Sequence, residues 1–154
     1  MMGKSRQVLI GVIGGESCSA EVARLAEEVG AELARRGAVL ICGGRGGVME
    51  AACRGARREG GLTIGILPGS DPAEANLYVA IPLATGLGSA RNYVIVTAAA
   101  ALIAIDGEYG TLSEIGFALR QGKRVVGLES WEIPGMVEAR TPQEAVSLAL
   151  EVAE

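Results

Sequence analysis

Glycine residues cluster at the ends of three short apolar segments, and such clusters let a ligand approach the backbone closely. Each cluster is followed by a segment with helical spacing, so the free N–H groups and the positive dipole end of a helix would face the ligand. This arrangement favours phosphate binding, although tight strand-to-helix turns need similar glycines without any ligand. The candidate phosphate-binding glycines are Gly14, Gly15, Gly43, Gly44, Gly46, Gly47, Gly107 and Gly110.

Two arginines offer positive charge for an anion. Arg91 is predicted in the first turn of a helix, where a cation opposes the helix dipole by roughly 0.3–1 kcal/mol, so its position favours contact with an anion. Arg45 stands between glycines and could form a two-pronged contact with a phosphate or a carboxylate. For both arginines the alternative is an ordinary solvent-exposed side chain.

Glu114 could have a structural role, a functional role, or both. Thr111 and Glu114 have the spacing of a capping box at a helix start, whose loss costs on the order of 1 kcal/mol. Alternatively, a carboxylate facing the ligand would stabilise the positive charge that develops on a sugar when its glycosidic bond breaks. Thr85 and Gly86, after another apolar segment, are candidates either for a phosphate contact or for a turn.

Several kinds of chemistry are excluded by composition. The chain has no histidine, which rules out Ser-His-Asp catalysis, Cys-His catalysis and histidine-bound metals, and we expect no metal site. Neither of its two lysines, Lys4 and Lys123, fits a P-loop or stands where a pyridoxal Schiff base is expected. The three cysteines lack Cys-x-x-Cys spacing and are predicted to be reduced thiols.

The size and charge of the chain indicate one soluble domain. Its 154 residues are 49% hydrophobic and 21% charged, and the net charge is −4. We expect a single domain over residues 1–154. The acidic balance argues against a nucleic-acid partner held by a broad basic face. The longest apolar stretch, residues 94–105, is too short to span a bilayer, so we expect no membrane association and a cytoplasmic location.

Runs of β-branched residues alternate with helical patterns, which predicts an α/β fold: a Rossmann-like, doubly wound parallel sheet that binds ligands at the carboxyl ends of its strands. Strands are predicted at 8–13, 39–42, 63–67, 102–105 and 125–128, with a short one within 77–83 interrupted by Pro82. Helices are predicted at 19–36, from the second glycine turn to 59, from 88 or 89, at 111–121, and from Thr141.

Two of these motifs resemble the LOG family, often labelled "lysine decarboxylase-like". Residues 43–52 resemble the family's Gly-Gly-x-x-Gly-Leu-Met segment, and residues 106–114 resemble its Pro-Gly-Gly-x-Gly-Thr-x-x-Glu motif. Arg91 and Asn92 fall where the family has an Arg-Lys pair, and the spacing to Glu114 matches. The likeness covers roughly residues 8–128. It is nearest the branch of molybdenum-cofactor carrier proteins and proteins distantly related to DNA-processing Rossmann proteins.

The resemblance implies two functions. The LOG enzymes hydrolyse nucleoside 5′-monophosphates to free base and ribose 5-phosphate, which would make Arg91 and Glu114 catalytic and the glycines, Thr111 and Asn92 ligand-binding. The alternative is a non-catalytic carrier or sensor of a phosphorylated cofactor such as the molybdenum cofactor. No cofactor is required for catalysis in either case, and the decarboxylase label is discarded because no pyridoxal lysine is visible. A small phosphorylated ligand is the expected partner, and the resemblance implies a homodimer or a higher homo-oligomer.

Three departures from the LOG pattern weaken the enzyme hypothesis. Asn92 replaces the expected lysine, Asp106 replaces proline, and Glu108 replaces the second glycine of the motif. The first change removes a cation, and the last places a carboxylate in the loop that would hold phosphate. The site is therefore expected to take a different ligand or to bind without turnover.

Overall fold

The computed structural model describes residues 6–153, so Lys4 lies outside the described residues. Within them the chain forms seven strands and five α-helices that alternate along most of its length. The strands are β1 Leu9–Gly14, β2 Val39–Cys42, β3 Thr63–Leu67, β4 Ile81–Ala84, β5 Ala101–Ile105, β6 Val125–Leu128 and β7 Val137–Ala139. The α-helices are α1 Ala20–Arg35, α2 Val48–Arg58, α3 Arg91–Ala98, α4 Tyr109–Arg120 and α5 Pro142–Leu150. Single 3-10 turns cover Pro72–Glu74, Gly88–Ala90 and Glu151–Ala153.

All seven strands run parallel in one sheet of order β4-β3-β2-β1-β5-β6-β7. The first strand of the chain therefore lies in the middle, where Leu9 pairs with Val39 of β2 and Ile10 pairs with Ala101 of β5. The strand order reverses at this point, and the connecting helices diverge to opposite faces, which opens a crevice at the carboxyl ends of β1 and β5. The predicted doubly wound α/β fold is confirmed.

Two apolar layers cover the sheet. Helices α1, α2 and α5 pack on one face, on side chains such as Ile10 and Ile103, and α3 with α4 packs on the other, on side chains such as Ile13 and Leu102. Helices α1 and α2 approach each other closely because Gly30 and Gly55 present bare backbone: a Cβ at either position would overlap a carbonyl group of the other helix. The helices on each face fix the positions of the loops that surround the crevice.

The structure departs from the predicted elements at three places. The predicted strand at 77–83 is reduced to β4, an edge strand in which the missing N–H of Pro82 is tolerated. Helix α4 begins at Tyr109, two residues before the predicted start. Strand β7 was not predicted because its three residues, Val-Glu-Ala, carry no apolar run. No helix in the described part of the chain is long and apolar enough to cross a membrane.

Candidate functional site

A cavity of about 420 Å³ lies at the carboxyl ends of β1 and β5, where the order of the strands reverses. This volume is within the roughly 300–1,000 Å³ typical of small-molecule sites. The glycine turn after β1, the first turn of α3 and the first two turns of α4 form most of its wall. Its lining residues are Gly14, Gly15, Glu16, Ser17, Met49, Arg91, Asn92, Glu108, Gly110, Thr111 and Glu114.

Arg91 is the buried cation of this cavity. It is the first residue of α3, only 9% of it is exposed, and its Nε is buried without a hydrogen-bond partner among the described residues. Its guanidinium lies against Gly43, where a Cβ would overlap it. Burial lowers the pKa of Arg91 below its ordinary value, and the nearby Glu114 partly opposes that shift. A buried cation with an unsatisfied donor is costly, and an anion in the cavity would remove that cost.

Glu114 lies in the second turn of α4 and faces the same cavity. It is 7% exposed, and none of the described hydrogen bonds or ion pairs includes its carboxyl group. Burial raises its pKa to about 8, against the opposing effect of Arg91. The carboxyl group is therefore mainly protonated at neutral pH, and in that form it can donate a hydrogen bond as well as accept one.

The predicted capping box of Thr111 and Glu114 is wrong. Helix α4 already begins at Tyr109, the N-cap position is Glu108, and no side chain of residues 6–153 caps the helix by a hydrogen bond. Thr111 and Glu114 consequently lie inside the helix, and both are buried. The backbone N–H groups of Gly110 and Thr111, in the first turn of this twelve-residue helix, have no backbone partner within the described part of the chain, and both residues line the cavity. A helix start of this kind attracts an anion.

The second glycine cluster supports the cavity more than it lines it. Gly43, Gly44, Gly46 and Gly47 form the turn into α2, and none of them is among the lining residues. The turn is tied to the first cluster, because Val48 N–H donates to the carbonyl of Gly15 at 3.0 Å. Gly43 is the member of this cluster that makes room for Arg91.

Arg45 forms ion pairs with two glutamates and is not among the residues that line the cavity. Its Nε lies 3.8 Å from Glu16 Oε1 and its Nη1 lies 3.5 Å from Glu74 Oε2, while 37% of the side chain is exposed. It thus offsets the charge of Glu16, a lining residue, instead of facing the cavity itself. Glu108, by contrast, lines the cavity with an exposed carboxylate. The negative charge that Glu108 adds to this loop, expected from the sequence, is present beside the start of α4.

The structure brings together only part of the predicted site. Gly14, Gly15, Arg91, Asn92, Gly110, Thr111 and Glu114 line one cavity. Gly107 packs behind Thr111. Thr85 and Gly86 follow the edge strand β4 and lie outside this wall: Thr85 Oγ1 donates to the carbonyl of Leu67 at 2.7 Å, and Gly86 N–H donates to the carbonyl of Gly69.

Three lining residues were not predicted. Glu16 and Ser17 directly follow the Gly14-Gly15 turn, and Met49 lies within the motif that resembles the LOG family. Their positions next to predicted site residues were the available signal. The sequence distinguishes the glycines from these neighbours because only glycine has a specific conformational reason to occupy such a turn.

A family model described as the SLOG cluster4 family matches residues 7–154. A protein of Archaeoglobus fulgidus, described as uncharacterized, is 47% identical over 142 residues, which cover 92% of this chain and 93% of that protein. Both comparisons extend over almost the whole chain, including the cavity.

Three solved structures are similar to this chain. The molybdenum cofactor binding protein of the phototrophic bacterium Rippkaea orientalis is 34% identical with a TM-score of 0.92, covering 98% of this chain and 100% of that one. The molybdenum cofactor carrier protein of Chlamydomonas reinhardtii is 33% identical with a TM-score of 0.88, covering 96% and 99%. DNA processing protein A of Streptococcus pneumoniae, at 19% identity and a TM-score of 0.74 over 92% of this chain and 61% of that one, shares the fold.

Proposed function

This chain belongs to the SLOG cluster4 family, and on that premise we propose that it is a carrier of a phosphorylated, pterin-derived cofactor such as the molybdenum cofactor. The branch that the two glycine motifs predicted, related to LOG proteins and near the molybdenum-cofactor carriers, is confirmed. The hydrolase hypothesis, which the resemblance to the LOG enzymes implies, is less well supported than the carrier hypothesis.

The observation that carries the proposal is that Arg91, whose buried Nε has no hydrogen-bond partner among residues 6–153, lines the same cavity as the first turn of α4. The molybdenum cofactor ends in a phosphate group, which is the kind of anion that this pair of features would bind. We assign the phosphate to Arg91 and to the backbone N–H groups of Gly110 and Thr111. The bare backbone of Gly14 and Gly15 lets the remainder of the ligand approach the end of β1 closely.

Charge in the cavity also favours a carrier over a glycosidic hydrolase. The role that the sequence suggested for Glu114, stabilising positive charge on the sugar, needs an ionised carboxylate. Burial keeps the pKa of Glu114 at about 8, so the group is mainly neutral at pH 7. Asn92 stands where the LOG enzymes have a lysine, and it supplies an amide in place of a cation.

Cofactor retention tests this proposal. The purified protein is mixed under anaerobic conditions with molybdenum cofactor released from a molybdoenzyme, and molybdenum and oxidised pterin are measured in the protein peak after gel filtration. We expect both to co-elute with the wild-type protein and to be transferable to a cofactor-free molybdoenzyme. Arg91→Ala should lose retention, whereas Arg120→Ala, an exposed arginine at the end of α4, is the matched control that keeps it.

Two outcomes would overturn the carrier proposal. The first is wild-type retention no greater than that of Arg91→Ala. The second is release of free base and ribose 5-phosphate from a nucleoside 5′-monophosphate that disappears in both Arg91→Ala and Glu114→Ala. That second result would establish the hydrolase instead.

We also propose that the protein forms a homodimer or a higher homo-oligomer through α3 and α4. Tyr93 and Phe117 are 50% and 38% exposed, and their rings meet edge to face with centroids 5.3 Å apart. Large apolar side chains exposed together on a helical face favour a protein interface. Light scattering coupled to gel filtration should give a mass of at least two chains, and Tyr93→Glu should reduce it. A monomeric wild-type protein would contradict the proposal.

A further inference from the structure

We propose that Glu114 binds the anionic group of the ligand in its neutral form, by donating a hydrogen bond, so that ligand binding takes up a proton and ionisation of Glu114 releases the ligand. This inference rests on the proposed function, because it concerns the same anion site. It replaces a catalytic role for Glu114 with a role in controlling affinity.

The geometry provides two buried groups that face one space from different elements. Arg91 enters the cavity from α3 and Glu114 enters it from α4, and both are more than nine-tenths buried. Arg91 Nε lacks a hydrogen-bond partner in the described part of the chain. The ion pairs found within residues 6–153 do not join Arg91 to Glu114. The side chains of Arg91 and Glu114 are thus placed to bind one anionic group of the ligand together.

The charges around Glu114 determine how its proton responds to an anion. Arg91 faces it from α3, Glu16 lines the cavity from the turn after β1, and Glu108 lines it from the loop before α4. The Cys42 thiol at the end of β2 also interacts electrostatically with both Glu114 and Arg91. Arg91 is thus the cation in the described cavity wall that favours ionised Glu114. An anion bound to Arg91 offsets that cation and adds negative charge, and both effects keep the proton on Glu114.

The sign of the pH dependence follows from this. The pKa of Glu114 is about 8 in the free protein. By the argument above, a bound anion raises the pKa further. Below pH 7 both states hold the proton, so affinity does not change through this group. Above pH 8 the free protein loses the proton and the complex keeps it, so affinity falls as pH rises. One proton and a free pKa near 8 give a loss of about tenfold between pH 7 and pH 9.

Ribose 5-phosphate is a suitable probe because a phosphomonoester has its second pKa at about 6 and is a dianion throughout the range studied. Its affinity is measured by calorimetry at pH 7, 8 and 9 in two buffers of different ionisation enthalpy, which also gives the number of protons taken up. Sulfate, which does not titrate in this range, is the second probe. We expect the wild-type affinity to fall about tenfold from pH 7 to pH 9 for both probes, with proton uptake approaching one at pH 9.

Two variants separate the titration of Glu114 from that of other groups. Glu114→Gln keeps a hydrogen-bond donor but cannot ionise, so its affinity at pH 7 should remain within about threefold of wild type and should be the same at pH 9. Glu108→Gln removes another carboxylate of the same cavity and is the matched control. It should strengthen binding at every pH and keep the tenfold pH dependence.

The inference is overturned by wild-type affinity that stays constant or rises with pH, by absence of binding of both probes, or by Glu114→Gln that retains the pH dependence. Rising affinity would mean that ionised Glu114 pairs with a donor on the ligand. If Glu114→Gln does not fold, the number of protons that the wild-type protein takes up on binding the probe at pH 9 tests the inference. Cofactor retention together with pH-independent anion binding would defeat this inference alone, whereas loss of retention would defeat the carrier proposal.

Discussion

The guanidinium of Arg91 occupies the space in which a side chain at Gly43 would begin. Gly43 immediately follows β2 and Arg91 begins α3, so the contact joins two elements that are far apart in sequence. Met49 Sδ closes the same space, since a Cβ at Gly43 would lie 2.8 Å from it. The absence of a side chain at position 43 is thus part of what places the cation in the cavity.

Gly43→Ala should weaken anion binding by displacing Arg91. A Cβ would overlap the guanidinium, so we expect at least a tenfold loss of ribose 5-phosphate affinity in calorimetry. The free energy of unfolding should fall by about 1–3 kcal/mol in urea denaturation, because the added methyl group overpacks the site. Gly116→Ala is the control: it lies in open space on α4, should gain up to about 1 kcal/mol in stability and should keep wild-type affinity. Wild-type affinity in Gly43→Ala would contradict this account of Arg91.

Arg91→Met should abolish phosphate binding and raise the stability of the ligand-free protein. The substitution removes a buried cation whose Nε has no hydrogen-bond partner among the described residues. Glu114 is mainly protonated at pH 7, so no buried negative charge is left without its cation. We expect the free energy of unfolding of the ligand-free protein to rise by about 1 kcal/mol, while binding of the phosphate probe is lost. Urea denaturation at pH 7 measures the first effect and calorimetry the second. A destabilised variant would show that Arg91 is already well satisfied in the free protein.

Glu114→Gln should become progressively more stable than wild type as pH rises from 5 to 8. Burial raises the pKa of folded Glu114 to about 8 from an ordinary value of 4.5, so only the folded state holds the proton in this window. The free energy of unfolding of the wild-type protein therefore falls by about 1.4 kcal/mol for each pH unit in this window. The two proteins should be similar near pH 5, differ by a few kcal/mol at pH 8, and show no further divergence above that. Urea denaturation at four pH values measures the difference, and a constant difference would exclude the raised pKa.

Lys123→Met should destabilise the fold without touching the ligand site. Lys123 Nζ donates to the carbonyls of Val96 and Thr97, at 2.8 and 2.7 Å, and to that of Ala99 near the end of α3. Loss of these bonds to helix-end carbonyls should lower the free energy of unfolding by about 1–3 kcal/mol. Lys123→Arg, which keeps the charge, should recover part of that loss. Anion affinity should stay at the wild-type level, and a change in it would indicate that the two ends of the sheet are coupled.

The sequence predicted the sheet well because buried parallel strands are short, continuous and β-branched, as in residues 39–42 and 125–128. The resemblance to the LOG family placed Arg91 and Glu114 in one site, and both line the same cavity. The capping box failed for a local reason: the Thr-x-x-Glu spacing is the same at a helix start and one turn inside it, and only the backbone at Glu108 and Tyr109 distinguishes them.

Thr85 shows a different limit of sequence interpretation. It follows a strand and has a hydroxyl, as a phosphate-binding residue would, but its strand is the edge strand β4. The hydroxyl donates to the carbonyl of Leu67 at the end of β3 and accepts from the N–H of Leu87. The order of strands in the sheet decides which strand ends meet, and that order depends on long-range packing.

The central position of β1 also has a consequence for when the ligand-binding cavity is completed during protein synthesis. The ribosome produces β1 first, yet the cavity needs β5 beside it and then the first two turns of α4 to complete the wall. A nascent chain that ends between residues 91 and 114 contains Arg91 but lacks the carboxyl group that lines the same cavity from α4. A ligand that needs all the described lining residues, which run from Gly14 to Glu114, can therefore be bound only after about three quarters of the chain has been translated.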